Sequence, residues 1–175
     1  TNGLACYDTF TGFKFLAEKK EQLERTGAGK VIFSYEESYG YMLGDYVRDK
    51  DAVTASLLLA EMAAWYASRH MTVWDALKAL YEKYGHYGEK TVNLVMPGLD
   101  GMKKMQKLMD SLRAAPLTEV AGTPVLIHKD YSTGIATVNA TGVEEKMDLS
   151  GSNVLRYELA DGTSFIIRPS GTEPK

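Results

Sequence analysis

Asp161-Gly162 stands between two runs in which apolar residues recur at alternate or near-alternate positions, Leu155-Arg156-Tyr157-Glu158-Leu159 and Phe165-Ile166-Ile167-Arg168. Asp-Gly readily takes the positive-φ backbone of a tight turn whose twist matches that of paired strands, so the pattern predicts a β-hairpin here. Its neighbours extend the same reading. From Val120 onward the signals are β, with one strand at Val125-Leu126-Ile127 and another from Ile135 to Val138.

The first half of the chain has a different period. A helix is predicted from Thr11-Gly12 to Arg25, with Phe15, Leu16 and Leu23 inward, Lys19, Lys20, Glu21 and Glu24 outward, and Gly27 and Gly29 ending it. Residues from Gly3 to Thr9 read as a short strand, and Val31-Ile32-Phe33 as a buried one leading into the polar segment Glu36-Glu37-Ser38-Tyr39-Gly40. Asp51 is placed to cap a helix from Ala52 to Arg69, apolar nearly all round and so expected in the core. Thr72 and Asp75 form a capping-box pattern before a helix with Val73, Leu77, Leu80 and Tyr84 on one face, stopped by Gly85.

The break Gly85-His86-Tyr87-Gly88 marks the expected domain boundary, giving domains of residues 1–86 and 87–175. Beyond it Val92, Leu94 and Met96 alternate as in a half-buried strand, and a helix from Gly101 to Ala114 sets Met102, Met105, Met109 and Leu112 along one side. The expected class is α/β followed by α+β, the second part a mainly antiparallel sheet packed on helices.

Composition removes several functions. The formal charge of the 175 residues is −3, so no general positive field draws the chain to nucleic acid. No apolar run approaches the roughly 20 residues of a membrane span. Cys6 is the single cysteine, which rules out an intrachain disulfide and fits a reducing, cytoplasmic setting. His70, His86 and His128 lack metal-ligand spacing, so no metal site is expected in the chain.

Three segments can carry chemistry. Arg168-Pro169-Ser170-Gly171-Thr172 follows the last predicted strand. Arg168 offers a planar fork of donors for a phosphate, Ser170 and Thr172 add hydroxyls, and Gly171 lets its amide approach an oxyanion. Taken alone, such a loop reads equally well as a surface turn. Glu36, Glu37 and Ser38 lie just beyond a predicted strand, where open α/β folds place ligand loops; two carboxylates and a hydroxyl make an acceptor set for vicinal sugar hydroxyls, although alone the segment reads better as a solvated acidic loop. Lys14 lies near a helix start, where anions are favoured, although a lone lysine there is usually solvated.

In this order, Thr11-Gly12-Phe13-Lys14, Glu36-Glu37-Ser38-Tyr39-Gly40-Tyr41, Arg48-Asp49-Lys50-Asp51 and Arg168-Pro169-Ser170-Gly171-Thr172-Glu173-Pro174-Lys175 resemble the motifs of the α-D-phosphohexomutases, the phosphoglucomutases and phosphomannomutases. The resemblance implies the later part of a three-layer α/β/α domain 3 and most of domain 4 of a four-domain enzyme. It implies Glu36 and Ser38 on the sugar ring, and Arg168, Ser170, Gly171, Thr172 and Lys14 on phosphate. A phosphoserine, a Mg2+ ion and a hexose 1,6-bisphosphate would complete the reaction, with the serine and the metal ligands on other domains. No Thr-Ala-Ser-His-Asn-Pro or Asp-Gly-Asp-Ala-Asp-Arg loop occurs in the chain. The expectation is therefore a C-terminal fragment, inactive alone, whose partners are hexose phosphate and the missing N-terminal domains. Tyr35 replaces the glycine that commonly precedes the first glutamate, which leans the resemblance toward glucose phosphate. The alternative reading is a non-catalytic sugar-phosphate-binding module.

Overall fold

The computed structural model describes residues 3–44, 46–98 and 100–169. The calls on Ser170, Gly171 and Thr172 lie outside the described residues. The chain divides into two compact units, residues 1–90 and 91–175.

The first unit is built from α1 (Phe13–Arg25), β1 (Phe33–Tyr35), β2 (Tyr41–Leu43), α2 (Ala52–Ala67) and α3 (Val73–Tyr84). Helix α1 begins where Gly12 takes φ 125°, a conformation that side-chain-bearing residues rarely adopt. Strands β1 and β2 pair antiparallel, with Phe33 opposite Leu43 and Tyr35 opposite Tyr41. Asp51 caps α2 by accepting from the amides of Val53 (3.0 Å) and Thr54 (3.3 Å), and Thr72 and Asp75 form the reciprocal box that opens α3.

Several expectations for this unit are corrected. Gly3–Thr9 forms no strand. The strand expected at Val31–Phe33 starts at Phe33, and Ile32 and Phe33 are exposed; only Ser34 of β1 is buried. Lys20, assigned outward, is 2% exposed and pairs with Glu24 one turn on. Helix α2, assigned to the core, contains no buried residue, and on α3 Ala76 is buried while Leu80 and Tyr84 are exposed. Apolar composition marks a surface that can be buried; burial itself needs a partner element.

The second unit holds α4 (Gly101–Ala114), β3 (Glu119–Val120), β4 (Thr123–Asp130), β5 (Ile135–Val138), β6 (Glu144–Lys146), β7 (Leu155–Leu159) and β8 (Ser164–Ile167). Among the described residues these strands make one sheet in the order β6-β5-β4-β7-β8, with β3 paired to β4. The hairpin expected around Asp161-Gly162 is β7–β8, with Leu155 opposite Ile167 and Tyr157 opposite Phe165. The strand expected at Val92–Met96 is absent, and Val92 and Leu94 are exposed.

Alternation along β7 explains this unit's core. Leu155, Tyr157 and Leu159 are buried and cluster with Val125 of β4 and Met109 of α4, with Leu112, Phe165 and Ile167 packed around them. The rings of Tyr157 and Phe165 stack with centroids 4.9 Å apart. The methionine stripe is confirmed for Met105 and Met109, whereas Met102 is 51% exposed. Arg113, in the last turn of α4, donates to Asp130 at the end of β4 (2.9 Å) and to Asn153 before β7 (2.6 Å). Partial burial raises the Asp130 pKa, but the hydrogen bonds from Arg113 and Ser132 outweigh it and hold the carboxyl below its ordinary range.

No helix among the described residues is long and apolar enough to cross a membrane.

Candidate functional site

The Glu36 segment forms the tip of the β1–β2 hairpin. The Glu36 amide donates to the Gly40 carbonyl (2.9 Å), closing the loop. Ser38 Oγ donates to Glu36 Oε2 (3.2 Å), which turns this carboxylate and hydroxyl toward one another. Glu36 is half-buried, whereas Glu37, Ser38 and Tyr39 are exposed. Tyr39 has φ 66°, a left-handed conformation uncommon for a bulky residue, and its ring is 86% exposed. The pair thus presents an ionisable acceptor and a hydroxyl that can both donate and accept, a set suited to sugar hydroxyls.

Phe13 supports this tip. A β-carbon on Gly40 would stand 2.4 Å from Phe13 Cε2 and 3.1 Å from Glu36 Oε2, so only glycine lets the ring and the loop meet. Phe13 is buried, and Lys50 Nζ lies 5.8 Å from its ring centroid. The structure therefore brings together three of the four quoted segments: the one containing Phe13, the hairpin tip, and Arg48–Asp51. Sequence reading singled out Lys14 and assigned no role to Phe13, the residue that makes the contact. The one available signal was a large apolar side chain beside a helix-opening glycine.

The third segment braces the second. The Asp51 amide donates to the Tyr41 carbonyl (2.9 Å), tying the start of α2 to β2. The Tyr46 hydroxyl donates to the Asp51 carboxylate, as does Thr54 Oγ1 (2.8 Å). These bonds, that of Tyr46 foremost, lower the Asp51 pKa to about 2. Arg48 Nη1 donates to Glu21 Oε2 of α1 (2.8 Å).

Lys14 is exposed on the first turn of α1, with Nζ 4.7 Å from the Phe15 ring centroid. Arg168 is exposed and follows directly after β8, so a paired strand sets where its backbone leaves the sheet. Among the described residues no cluster of three or more His, Cys, Asp or Glu side chains could hold a metal ion.

A hollow of about 310 Å3 lies over the second unit's sheet, lined by Leu126, Arg156, Glu158, Thr163 and Ser164 among others. It contains none of the candidate residues. Concavity alone does not point to the site here, and we weigh the clustered polar groups of the hairpin tip above it.

Residues 1–84 match the family model described as phosphoglucomutase/phosphomannomutase, alpha/beta/alpha domain III. Over 169 residues the chain is 36% identical to a phosphoglucomutase of Staphylococcus haemolyticus, an alignment covering 96% of this chain and 30% of that protein. It is 34% identical over 174 residues to a phosphoglucomutase of Staphylococcus aureus strain MRSA252, covering 99% of this chain and 31% of the relative. A phosphoglucomutase of Staphylococcus saprophyticus is 32% identical over 169 residues, with 96% and 30% covered. The chain thus spans about 30% of the length of the curated relatives it matches. Domain-model match and near-complete alignment agree with the three converging segments of the first unit: the chain belongs to the phosphoglucomutase/phosphomannomutase family.

Proposed function

We propose that this chain is the C-terminal, substrate-binding portion of a phosphohexomutase that interconverts hexose 1-phosphate and hexose 6-phosphate, with glucose favoured over mannose. The observation that carries the reading is the hairpin tip: Ser38 Oγ 3.2 Å from Glu36 Oε2, on a loop seated against Phe13. In the reaction the family resemblance implies, the hexose presents its two ends in turn to one phosphoserine. The enzyme then needs a grip on the ring that serves both orientations and a grip on the phosphate that is not reacting.

Glu36 accepts hydrogen bonds from ring hydroxyls, and Ser38 adds a partner that can reverse its donor and acceptor roles as the sugar turns. Arg168, with Ser170, Gly171 and Thr172, holds the distal phosphate through charge-assisted hydrogen bonds, and Lys14 adds positive charge toward the bound phosphosugar. Such groups act by positioning and by electrostatic stabilisation of the transfer. None is the nucleophile. Mg2+, bound on other parts of the parent protein, would supply charge neutralisation at the transferring phosphoryl group. The hexose 1,6-bisphosphate is the intermediate, which turns over in the site between the two transfers. A cytoplasmic setting accords with these phosphorylated metabolites.

The test has two arms. Purified alone, the chain is expected to show no mutase turnover with glucose 1-phosphate; turnover without an added partner would overturn the assignment of the nucleophile to other domains. Joined to the remaining domains, it is expected to support turnover that Arg168→Ala reduces. An unchanged kcat/KM would remove Arg168 from the phosphate grip. A strong calorimetric signal for glucose 1-phosphate with the isolated chain would instead favour the non-catalytic binding module.

A further inference from the structure

We infer that Tyr39 is a specificity-determining residue whose ring lies against the C–H face of the hexose and selects glucose over mannose, an inference that rests on the sugar-binding reading of the hairpin tip. Residues 36–40 join the paired residues Tyr35 and Tyr41, and the chain turns there with Tyr39 at φ 66°. Glycine takes this left-handed conformation without steric cost, whereas a bulky side chain is strained in it. No contact within the chain offsets that strain. The Tyr39 ring is 86% exposed, more than any other large apolar or aromatic side chain among the described residues. The other rings of the hairpin have partners: Phe33 stacks on Tyr35 with centroids 5.8 Å apart and on Tyr41 at 6.0 Å. Among the described residues Tyr39 has no hydrogen bond, ion pair or ring contact. A strained backbone that holds a bare aromatic ring in solvent points to a partner outside the chain.

The place of Tyr39 in the tip names that partner. It directly follows Ser38, whose Oγ is 3.2 Å from Glu36 Oε2, and it precedes Gly40, against which Phe13 packs. A sugar seated on this carboxylate and hydroxyl is one residue away from the ring. Hexoses carry hydroxyls around their rim and C–H bonds on their faces, and a flat apolar ring with a polar tip complements such a face. Stereochemistry then sets the preference. A half-turn that exchanges the two phosphate ends, while one edge of the hexose stays on the grip, also exchanges the faces of the sugar ring. Tyr39 therefore meets each face in turn. Glucose holds its ring hydroxyls at C2, C3 and C4 equatorially and offers C–H bonds on both faces. Mannose has an axial hydroxyl at C2, which is pressed against the aromatic ring in one of the two orientations and loses its water there.

The experiment measures kcat/KM for glucose 1-phosphate and mannose 1-phosphate with the chain joined to the remaining domains of the parent enzyme. Tyr39→Ala should lower the glucose value about fivefold and the mannose value less, so that the ratio between them falls. Tyr39→Phe keeps the ring and should preserve both values. Tyr39→Gly should reduce the ratio as alanine does, while the urea midpoint holds or rises because the left-handed backbone is relieved. A ratio unchanged in the alanine and glycine variants would overturn the inference, and so would a midpoint lowered by Tyr39→Gly, which would make the ring a structural contact. Turnover that falls with Glu36→Gln and ignores the Tyr39 variants would end the stacking and leave the mutase reading standing. A protein inactive on both sugar phosphates would sink the mutase reading. Saturation-transfer NMR of the isolated chain with glucose 1-phosphate would then decide the contact: transfer from tyrosine ring protons that Tyr39→Ala diminishes upholds it, and transfer indifferent to Tyr39→Ala, or none, ends it.

Discussion

The ring of Phe13 occupies the space where a side chain on Gly40 would be: a β-carbon there would lie 2.4 Å from Phe13 Cε2. Two segments far apart in the chain meet at this point, and the meeting sets the position of Glu36. Gly40 has no positive φ to satisfy, so the demand for glycine is steric. Gly40→Ala should push the tip off Phe13 and destabilise the chain by about 1–3 kcal/mol, the usual cost of overpacking. Urea denaturation checks this; an unchanged midpoint would mean that the tip does not rest on the ring.

The half-buried Glu36 and the exposed Glu37 are neighbours with different settings. In the longer protein, Glu36→Gln should lower kcat/KM for glucose 1-phosphate by roughly tenfold or more, the scale of one charged hydrogen bond. Glu37→Gln should change it little. Equal effects of the two substitutions would remove Glu36 from the ring contact.

Asp51 ties α2 to β2, and its folded pKa of about 2 lies below the ordinary 3.8. A depressed carboxyl contributes stability that is fully present above its unfolded pKa and is lost as pH falls through the folded value. The first unit should therefore loosen between about pH 4 and pH 2, and Asp51→Asn should flatten that part of the profile. Helical ellipticity against pH measures it; a wild-type profile in the variant would mean the cap is not the acid-sensitive element.

In the second unit, Arg113 spans Asp130 and Asn153, with its side chain 23% exposed and that of Asp130 17% exposed. Arg113→Ala leaves a mostly buried carboxylate without its cation. A loss of about 2–3 kcal/mol is expected, below the cost for fully buried pairs because solvent reaches this one. Double-mutant analysis with Asp130→Asn should return a coupling energy; additive effects would show that the pair is idle.

Tyr157 is 1% exposed and stacks on Phe165, while its hydroxyl lies 3.5 Å from the Leu112 carbonyl, at the limit of hydrogen bonding. Tyr157→Phe should cost at most about 1 kcal/mol, and Tyr157→Ala roughly 3–5 kcal/mol. Equal losses in thermal unfolding would place the weight on the hydroxyl and away from the ring.

Features whose cause lies within a few residues were legible in the sequence. Asp51 and the Thr72–Asp75 pair cap their helices because side-chain oxygens reach amides two or three residues on. The β7–β8 hairpin follows from Asp161-Gly162, where Gly162 takes φ 85°. Strand β2 went unread because Tyr41–Leu43 is three residues long and follows a polar tip, too short for alternation to register. The burial of Lys20 went unread because charge predicts solvent, and only the folded chain shows the pairing with Glu24 and the 2% exposure.

The sequence by itself determined where helices begin, where the last hairpin turns and which family the chain resembles, since these depend on local hydrogen bonding, backbone preference and residue identity. The tertiary structure alone decided that Phe13 seats the Glu36 tip, that Arg113 joins α4 to two strand ends, and that the apolar α2 faces outward. Burial is a property of pairs of surfaces, and the partner of a given surface is chosen by residues distant in the chain.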